Sequence, residues 1–352
     1  MSRLLDIEGT RTYEEAGVSI AAGDDVVARI ATSVASTVRP GVLGSIGGFG
    51  GLFSLDAKAY DEPVLVASAD GVGTKLEVAR LAQRYDTVGI DLVAMLVDDL
   101  VCVGAEPLFV LDYVATGLVS PEQLAVLVEG VAEGCRQAGA ALLGGETAEH
   151  GGVMKPDDLD LAGFALGVVE KRDALSKDRV RAGDVLVGLH SPGLRSNGYS
   201  LAREILVRDA GSLGEPAYPG ATKTLGDELL LPSVIYAPTV LALTRHLGAA
   251  VHAAAHITGG GIVGNVARIL TPQLDATIAM DSFETPEIFF EIQRRGRVHA
   301  DAMVRVFNCG LGMVVALDAN AGDAAIELAH AHGVTAMIVG SVRSGTGEVV
   351  VS

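Results

Sequence analysis

The feature that most restricts the fold is an alternation of short apolar tracts with longer, helix-like tracts. Four tracts of the first half have the length of buried strands, at residues 64–68, 109–115, 140–143 and 161–169. Two have the length of helices, at residues 87–103 and 120–139. Ser120 followed by Pro121 is a typical helix start, with a serine N-cap and a proline at the first helical position. Alternating strands and helices predict an α/β protein.

The alternation resumes after a polar connector at residues 170–173, where we place a domain boundary. The later strand-like tracts are residues 184–190, 313–317 and 336–339. The later helix-like tracts are residues 199–209, a segment that opens at Thr285-Pro286, and residues 321–332. Because 352 residues are too many for one ordinary core, we predict an α/β (α+β) fold with two domains, residues 1–170 and 171–352.

Composition excludes several classes of protein. Hydrophobic residues make up 49% of the chain and charged residues 20%, which suits a large core and argues against disorder. A net charge of −18 argues against nucleic acid as a partner. No apolar run is long enough to span a membrane, and the N-terminus lacks the apolar core of a secretory signal, so we expect a cytoplasmic protein. Three scattered cysteines suit reduced thiols.

An acidic residue, glycines and a lysine follow the first strand-like tract. Residues 69–75 read ADGVGTK, which places Asp70 at the carboxyl end of the strand and Lys75 shortly after it. A carboxylate at that position can hold Mg²⁺, while the glycine turn and the lysine can hold a phosphate. The alternative interpretation is a tight turn with a solvated Lys75.

The helical tract at residues 87–103 carries carboxylates among apolar side chains. At about 100° per residue, Asp91, Met95 and Asp98 share one stripe, and Asp99 lies about a quarter-turn away. Carboxylates in so apolar a helix are costly unless they are paired or bound to a metal ion. We therefore expect at least one of them to be a metal ligand, with a solvated face as the alternative.

A further carboxylate, Glu146, follows Gly144 and Gly145 at the end of another strand-like tract. The glycines indicate a turn that points Glu146 to the same ridge of strand ends as Asp70. Oxygen ligands without histidine or cysteine favour Mg²⁺ over zinc. The sequence therefore predicts a magnesium site on this ridge.

Two glycine-rich segments suit a phosphate. Residues 44–51 read GSIGGFGG, which indicates either a phosphate cradle or a flexible turn. Residues 259–264 read GGGIVG and formally fit a dinucleotide fingerprint, with Asp281 about twenty residues later. We favour a helix N-terminus that meets a substrate phosphate. His256, just before this segment, faces either a ligand or the core.

Together these motifs resemble the aminoimidazole ribonucleotide synthetase family over nearly the whole chain. The matching segments of the first half are YEEAG at 13–17, GGFGG at 47–51, DGVGTKL at 70–76, GIDLVAML at 89–96, DLVCVGAEP at 99–107 and GGETAE at 144–149. Those of the second half are SNGYSL at 196–201, HITGGG at 256–261, PEIF at 286–289 and FNCGLGM at 307–313. The segment at 99–107 is shared with a wider superfamily that includes thiamine-monophosphate kinase and selenophosphate synthetase. GGETAE, SNGYS, HITGGG and FNCG are far more specific to the cyclo-ligases.

The resemblance implies an enzyme of purine biosynthesis that closes formylglycinamidine ribonucleotide to 5-aminoimidazole ribonucleotide and releases ADP and phosphate. ATP and Mg²⁺ are the implied cofactors, bound at the N-terminal half. The resemblance also implies a homodimer, in which the mixed sheet of the N-terminal domain joins its partner's sheet in a barrel. The C-terminal α/β domain contributes substrate contacts. Apolar strands in the first half, with few helices to cover them, also favour a two-fold partner.

By motif match, the resemblance assigns residues to four roles. The implied metal ligands are Asp70, Asp91, Asp99 and Glu146. The implied ATP contacts are Gly47, Gly48, Phe49, Gly50, Gly51, Asp70, Gly71, Gly73, Thr74, Lys75, Gly144, Gly145 and Glu146. The implied substrate contacts are Ser196, Asn197, His256, Thr258, Gly259, Gly260 and Gly261. The catalytic candidates are Lys75, Asn197 and His256.

The chain departs from the family pattern at two places. The family loop usually reads Ser-Gly-x-His-Ser-Asn-Gly, and this chain has Arg195 where the histidine stands. A permanent cation there argues against acid–base chemistry at that position. After GGETAE the family often continues Met-Pro-Gly, and this chain has His150-Gly151-Gly152.

Two other functions remain open from the sequence. One is another ATP-dependent kinase or synthetase of the superfamily, although selenophosphate synthetase is disfavoured because no cysteine precedes Cys102. The other is a nucleotide-binding scaffold without turnover, which the retained carboxylates disfavour.

Overall fold

The strands form two main sheets, one from each half of the chain. The computed structural model describes residues 19–352, so the YEEAG segment at 13–17 lies outside the described residues. One sheet has four strands from residues 63–170, and the other has six strands from residues 185–351. Helices pack against one face of the four-stranded sheet and against the six-stranded sheet, and the mixed α/β fold predicted from the sequence is confirmed.

Residues 19–170, the described part of the first half, contain four α-helices and six strands. They are α1 (Ile20–Ala35), β1 (Val42–Leu43), β2 (Leu52–Phe53), β3 (Pro63–Gly71), α2 (Lys75–Ala82), α3 (Val88–Val101), β4 (Glu106–Thr116), α4 (Pro121–Ala138), β5 (Ala141–Glu149) and β6 (Leu159–Glu170).

The second half contains seven helices and six strands. They are β7 (Val185–His190), α5 (Tyr199–Leu206), α6 (Leu225–Leu229), α7 (Ala237–Leu247), β8 (Val251–His256), α8 (Gly261–Val266), β9 (Leu274–Ile278), α9 (Glu287–Gly296), α10 (Ala300–Val306), β10 (Leu311–Leu317), α11 (Gly322–Ala331), β11 (Ala336–Ser344) and β12 (Val349–Val351).

The four-stranded sheet has the order β3-β6-β4-β5. β6 is antiparallel to both β3 and β4, and β4 is parallel to β5. The carboxyl ends of β3, β4 and β5 therefore meet at one edge of the sheet. Helix α3 packs against β3 and β6, and α4 packs against α3, so both helices lie on the same side. The opposite face has no helix among residues 19–352 and exposes Leu65, Tyr113 and Phe164.

The six-stranded sheet has the order β12-β9-β11-β7-β10-β8 and is antiparallel except for the β12–β9 pair. Helices α7, α8 and α11 pack on it. Helix α3 of the first half also contacts β8 and α7. Because α3 packs against the four-stranded sheet and also contacts β8 and α7 of the second half, side chains at its carboxyl end lie between the two halves.

Most predicted elements are present, but one predicted turn is wrong. Gly144 and Gly145 do not form a turn after a short strand, because they pair with Leu111 and Asp112 inside β5. A Cβ at Gly145 would lie 2.0 Å from Asp112 Oδ1, so the glycine is needed for close approach between neighbouring strands.

Two sequence expectations can be compared directly with the structure. All three cysteines are free, as predicted. Among residues 19–352, no helix has both the length and the apolar character that crossing a bilayer requires.

Helices α3 and α4 meet almost backbone to backbone. A Cβ at Gly89 of α3 would lie 2.2 Å from the backbone nitrogen of Val131 of α4. On the other side of this contact, a Cβ at Gly130 would lie 3.4 Å from the Cα of Gly89. This contact fixes the position of the helix that carries Asp91, Asp98 and Asp99.

Replacing Gly89 with alanine should destabilise the protein by about 1–3 kcal/mol, because the added methyl group has no room. We expect a lower urea midpoint and a lower melting temperature. Gly23→Ala is the matched control, since this glycine lies in α1 with nothing within 4 Å of an added Cβ. It should leave stability unchanged or raise it. An unchanged melting temperature for Gly89→Ala would contradict the close contact.

Candidate active site

A cleft between the two halves of the chain is lined by two of the predicted site residues, Asp99 and His256. Its cavity has a volume of about 510 Å³. The first half contributes residues 66–69 of β3 and the carboxyl end of α3, and the second half contributes residues 253–256 of β8. The other polar side chains of the lining are Ser176, Lys177, Asn265 and Arg268. We call this space the cleft.

Asp99 and His256 meet in the cleft. The Nδ1 atom of His256 lies 2.9 Å from Oδ1 of Asp99, so one residue of each half takes part in this hydrogen bond. The imidazole is buried, whereas the carboxylate of Asp99 is 43% exposed.

Asp70, at the end of β3, lies near this pair. Burial raises the pKa of Asp70; the hydrogen bond from the Gly71 N–H opposes that shift, and the neighbouring carboxylate of Asp99 adds to it. Two carboxylates that repel each other favour the binding of a divalent cation between them. Their oxygen atoms are of the type that Mg²⁺ prefers, so Asp70 and Asp99 fit the implied metal ion.

The other two carboxylates of α3 are buried and bound by residues of both halves of the chain. Asp91 is fully buried and forms an ion pair of 2.6 Å with Lys75. The backbone N–H and the hydroxyl of Ser233 both donate to Asp91 Oδ1, at 2.9 and 2.6 Å. Lys75 also donates to the carbonyl oxygens of Arg195 and Leu231, at 3.1 and 2.7 Å. Burial lowers the pKa of Lys75, and Asp91 opposes that shift.

Asp98 forms the second such anchor. Arg195 donates to Asp98 Oδ2 at 2.7 Å, and the backbone N–H of Tyr236 donates to Asp98 Oδ1 at 2.8 Å. Neither the guanidinium nor the carboxylate is exposed by more than 1%. We call the two buried pairs, Lys75–Asp91 and Arg195–Asp98, the latch. The predicted residues Lys75 and Asp91 therefore lie in the latch, and neither lines the cleft.

A second cavity brings the two remaining glycine motifs of the first half together. It has a volume of about 600 Å³ and lies between α1, α4 and the strands β4 and β5. Residues 45–51 and residues 142–147 form part of its wall. The rest of the wall is apolar apart from Asp112, and its aliphatic side chains are Val26, Val27, Ile30, Val34, Leu111 and Val128. We call this space the glycine cavity.

Asp112 is a polar wall residue that the sequence interpretation missed. It lies inside the apolar strand β4 and is 9% exposed. Burial raises the pKa of Asp112 to about 7 and outweighs the hydrogen bond from its own backbone N–H. An aspartate in the middle of the apolar run FVLDYVA is the signal that could have identified it.

Glu146 and Asp70 are at opposite edges of the four-stranded sheet. Asp70 is on the edge strand β3 and Glu146 is on the edge strand β5. Three interstrand spacings separate these strands, which places the two residues about 14 Å apart within one chain. They cannot bind one ion together in a single protomer.

The predicted substrate residues of the second half form two loops. Ser196 and Asn197 follow Arg195 in the loop before α5, and Ser196 Oγ and Asn197 Oδ1 are buried without a hydrogen-bond partner among residues 19–352. Thr74 Oγ1 lies 3.3 Å from Ser200 Oγ, so the first turn of α5, which follows this loop, meets the ADGVGTK segment.

The second loop, residues 258–261, is held by one amide. Asn265 Nδ2 donates to the carbonyl oxygens of Thr258, Gly259 and Gly261 at 3.2, 3.2 and 2.8 Å. The preceding strand β8 pairs with β10 in antiparallel fashion, and the following helix α8 has six residues. Asp281 lies in a short helical turn and not at the end of a strand. The segment is therefore not part of a parallel βαβ dinucleotide unit.

Family models and curated relatives describe one group of proteins. Residues 55–169 match the model "AIR synthase related protein, N-terminal domain", and residues 181–352 match the model "AIR synthase related protein, C-terminal domain". The chain is 49% identical over 333 residues to a phosphoribosylformylglycinamidine cyclo-ligase of Trichlorobacter lovleyi, with 95% of each chain covered. It is 48% identical over 342 residues to that of Carboxydothermus hydrogenoformans, with 97% of this chain and 98% of the relative covered.

Solved structures share the fold at low sequence identity. Thiamine-monophosphate kinase from Stenotrophomonas maltophilia is 21% identical with a TM-score of 0.65, and 95% of this chain and 96% of that chain are covered. The hydrogenase maturation protein HypE in complex with ATP is 17% identical with a TM-score of 0.66, and 98% and 92% are covered.

Replacing Asp112 with asparagine should stabilise the protein relative to wild type as the pH rises from 4 to 7. An unfolded aspartate loses its proton near pH 4, whereas folded Asp112 keeps it up to about pH 7. The folded state therefore binds more protons over this range, and wild-type stability falls as the pH rises.

The expected gain is on the order of a few kcal/mol at pH 7 and above, since one pKa unit corresponds to about 1.4 kcal/mol. Urea unfolding at several pH values, without nucleotide, measures it. Asp24→Asn, at an exposed position of α1, is the control and should show no such trend. If the free energy of unfolding changed with pH by the same amount in wild type and in Asp112→Asn, the result would contradict the burial of a carboxyl group that keeps its proton.

Proposed function

Since the chain belongs to the AIR synthase related protein family and, within it, to the phosphoribosylformylglycinamidine cyclo-ligases, we propose that its cleft is where the imidazole ring is closed. The enzyme converts formylglycinamidine ribonucleotide to 5-aminoimidazole ribonucleotide with ATP and releases ADP and phosphate. One observation supports this location above the others. Asp70, Asp99 and His256 come from three separate motifs; Asp99 and His256 line the cleft, and Asp70 lies close enough to interact electrostatically with both.

The chemistry explains why ATP is needed. An amidine nitrogen attacks the formamide carbon of the same molecule, and the formamide oxygen must then leave. Oxide is a very poor leaving group, so the γ-phosphoryl group of ATP is transferred to this oxygen, which departs as phosphate. Because nucleophile and electrophile belong to one molecule, holding it folded gives an effective molarity that can reach about 10⁵ M. The protein therefore has to position groups and exclude water.

Asp70 and Asp99 are the residues that we propose as ligands of Mg²⁺. When bound, the ion neutralises charge that develops on the transferred phosphoryl group. His256 is placed to orient Asp99 through the hydrogen bond between Nδ1 and Oδ1. Asp91 has a different proposed role, since Lys75 and Ser233 already bind its oxygen atoms.

The glycine cavity is the proposed site for the base of ATP. Its apolar wall suits a purine ring, and the backbone N–H groups of residues 47–51 can turn toward phosphate without Cβ obstruction. Gly144 and Gly145 contribute to the same wall. Within one protomer, Asp70 to Thr74 lie at the opposite edge of the sheet from this cavity, so their proposed contact with the phosphate chain requires ATP bound in a partner protomer's glycine cavity.

The ribonucleotide substrate is the proposed ligand of the second-half loops. Ser196 and Asn197 carry buried polar atoms without partners among residues 19–352, and a small shift of the loop would offer them to a ligand. Thr258, Gly259 and Gly260 offer backbone N–H groups just before α8, whereas the N–H of Gly261 donates to the Thr258 carbonyl oxygen at 3.0 Å. Of the three catalytic candidates, Asn197 and His256 stay at the substrate side, while we propose that Lys75 acts by holding the latch together.

A homodimer is proposed because one face of the four-stranded sheet is apolar and open. Leu65, Tyr113 and Phe164 are 59%, 43% and 36% exposed on this face. Glu146 pairs with Tyr113 across β5 and β4, so its side chain lies on the same face. A partner whose sheet joins this one would cover the apolar side chains, and we propose that it brings Glu146 to the partner's Asp70.

Asp70→Asn and Asp99→Asn should each abolish ring closure while the protein stays folded, because each removes a charge that would hold the ion. The assay supplies formylglycinamidine ribonucleotide and Mg-ATP and detects aminoimidazole ribonucleotide and ADP. Asp61→Asn is the control, since Asp61 is an exposed partner of Arg172 and should retain full activity.

Other outcomes of this assay point elsewhere. Phosphate transferred from ATP to a different acceptor would support another kinase or synthetase of the superfamily. Bound ATP without turnover by the wild-type protein would support a scaffold. Wild-type activity in either carboxylate variant would remove that residue from the metal site.

Light scattering at sub-micromolar protein should give twice the chain mass of 36.1 kDa. A mixing experiment tests whether Glu146 acts across the dimer. Asp70→Asn and Glu146→Gln protomers should each be inactive alone. If they exchange freely, half of the dimers are mixed and one of their two sites is intact, which restores about a quarter of wild-type activity. A stable, active monomer would refute the dimer, and no restored activity in proven mixed dimers would place Glu146 outside the partner's site.

A further inference from the structure

Arg195 has a backbone conformation that arginine rarely adopts. Its φ angle is 63°, in the left-handed region, and its side chain is 1% exposed. A residue other than glycine pays about 1 kcal/mol or more for this conformation and keeps it only when its surroundings demand it. The contacts of Arg195 show what demands it.

The guanidinium of Arg195 has three hydrogen-bond partners and one aromatic partner. It donates through Nη1 to the Val234 carbonyl at 2.6 Å, and through Nη2 to Asp98 Oδ2 at 2.7 Å. Nη2 also lies 3.0 Å from Nε2 of His256. The Tyr236 ring lies 4.8 Å from the guanidinium carbon. The group is therefore fixed in place, with one N–H directed at the imidazole.

The contact with His256 determines where the imidazole carries its hydrogen. A guanidinium has only donors, so Nε2 of His256 must accept and carries no hydrogen. The single ring hydrogen is then on Nδ1, which donates to Asp99 Oδ1 at 2.9 Å. Asp98 Oδ2 is the other charged group near Nε2, but at 4.0 Å it is too far away to accept a hydrogen bond from it.

We propose that Arg195 is a positioning residue that fixes His256 as the neutral Nδ1–H tautomer, so that His256 orients Asp99 and does not pass a proton through Nε2. The chain of contacts runs from a permanent cation to an imidazole and then to a carboxylate at the cleft. Its importance for catalysis rests on the proposed role of Asp99 in binding Mg-ATP. The tautomer itself depends only on the contacts of Arg195 and His256.

Nitrogen-15 NMR of the full-length protein with labelled histidine tests the tautomer directly. The chain has eight histidines, and the signal that disappears in His256→Gln belongs to His256. In the wild type we expect a protonated Nδ1 and an unprotonated Nε2. In Arg195→Met, which has a side chain of similar length without donors, Nε2 should become partly or fully protonated.

Arg195→Met leaves the buried Asp98 without its ion-pair partner and can therefore destabilise the fold. A second variant avoids this problem. Asp98→Asn combined with Arg195→Met removes both charges together, which avoids an unpaired buried charge. The same loss of the Nδ1–H tautomer is expected in whichever variant melts cooperatively. An Nε2-protonated His256 in the wild type, or an unchanged Nδ1–H signal in a folded variant without Arg195, would overturn the proposal.

Kinetics provide a second readout on the active enzyme. Arg195→Met and His256→Gln should each lower kcat/KM by about 10- to 100-fold, as expected for groups that orient a metal ligand. Because Arg195 and His256 both act through Asp99, kcat/KM of the double variant should be no lower than that of the less active single variant. Fully multiplicative losses would show independent action and overturn the proposal. The NMR measurement needs no turnover, so it stays decisive even if the proposed reaction fails.

Discussion

Helix α3 places two carboxylates in an apolar interior, and each needs a cation there. Burial of one charged group costs several kcal/mol, and removal of one partner from a buried pair typically costs 3–5 kcal/mol. Asp91 and Asp98 lie two turns apart on one side of α3, and both are completely buried. Their cations come from α2 and from the loop before α5. The Arg195–Asp98 pair joins the two halves directly, and the Lys75–Asp91 pair, which lies within the first half, joins them through its hydrogen bonds to Ser233 and to the carbonyl oxygens of Arg195 and Leu231.

The same helix connects this constraint to the chemistry. Asp99 directly follows Asp98 and points about a quarter-turn away, from the latch toward the cleft. Any shift of α3 that weakens the Asp98 pair also moves Asp99 relative to His256. The close contact between Gly89 and α4 limits such shifts from the other side. A helix held at both faces gives the carboxylate at its end a fixed position, which suits a reaction that depends on positioning.

The sequence predicts the elements whose pattern is local and misses what distant contacts decide. The start of α4 at Ser120-Pro121 and the apolar strand β6 were legible, because proline preference at a helix start and hydrophobic periodicity operate within a few residues; Ser120 occupies the N-cap position, but its side chain forms no capping hydrogen bond. The sequence did not predict that Gly144 and Gly145 lie inside β5, because this placement involves the side chain of Asp112 on the neighbouring strand.

Among the candidate site residues, the α3 carboxylates show the same limit. Periodicity placed Asp91, Asp98 and Asp99 on neighbouring positions of one helix and correctly indicated that such residues need cations. It could not tell a metal ion from Lys75 or Arg195, because the partners lie up to about a hundred positions away in the chain. Arg195 was noticed as a departure from the family loop, and its partner Asp98 was noticed as a buried acid. Only the folded chain places one against the other.

The pairing of Arg195 with Asp98 also explains how a permanent cation can occupy this buried position. A guanidinium at this buried position needs a carboxylate beside it, and Asp98 supplies one at 2.7 Å. With that charge balanced, a remaining N–H of Arg195 is free to meet His256. The imidazole then has a donor on one side and the acceptor Asp99 on the other, so its orientation is fixed by both neighbours. A charge pair that joins the two halves therefore also determines which ring nitrogen of His256 carries the hydrogen, and fold stability and site geometry depend on one arginine.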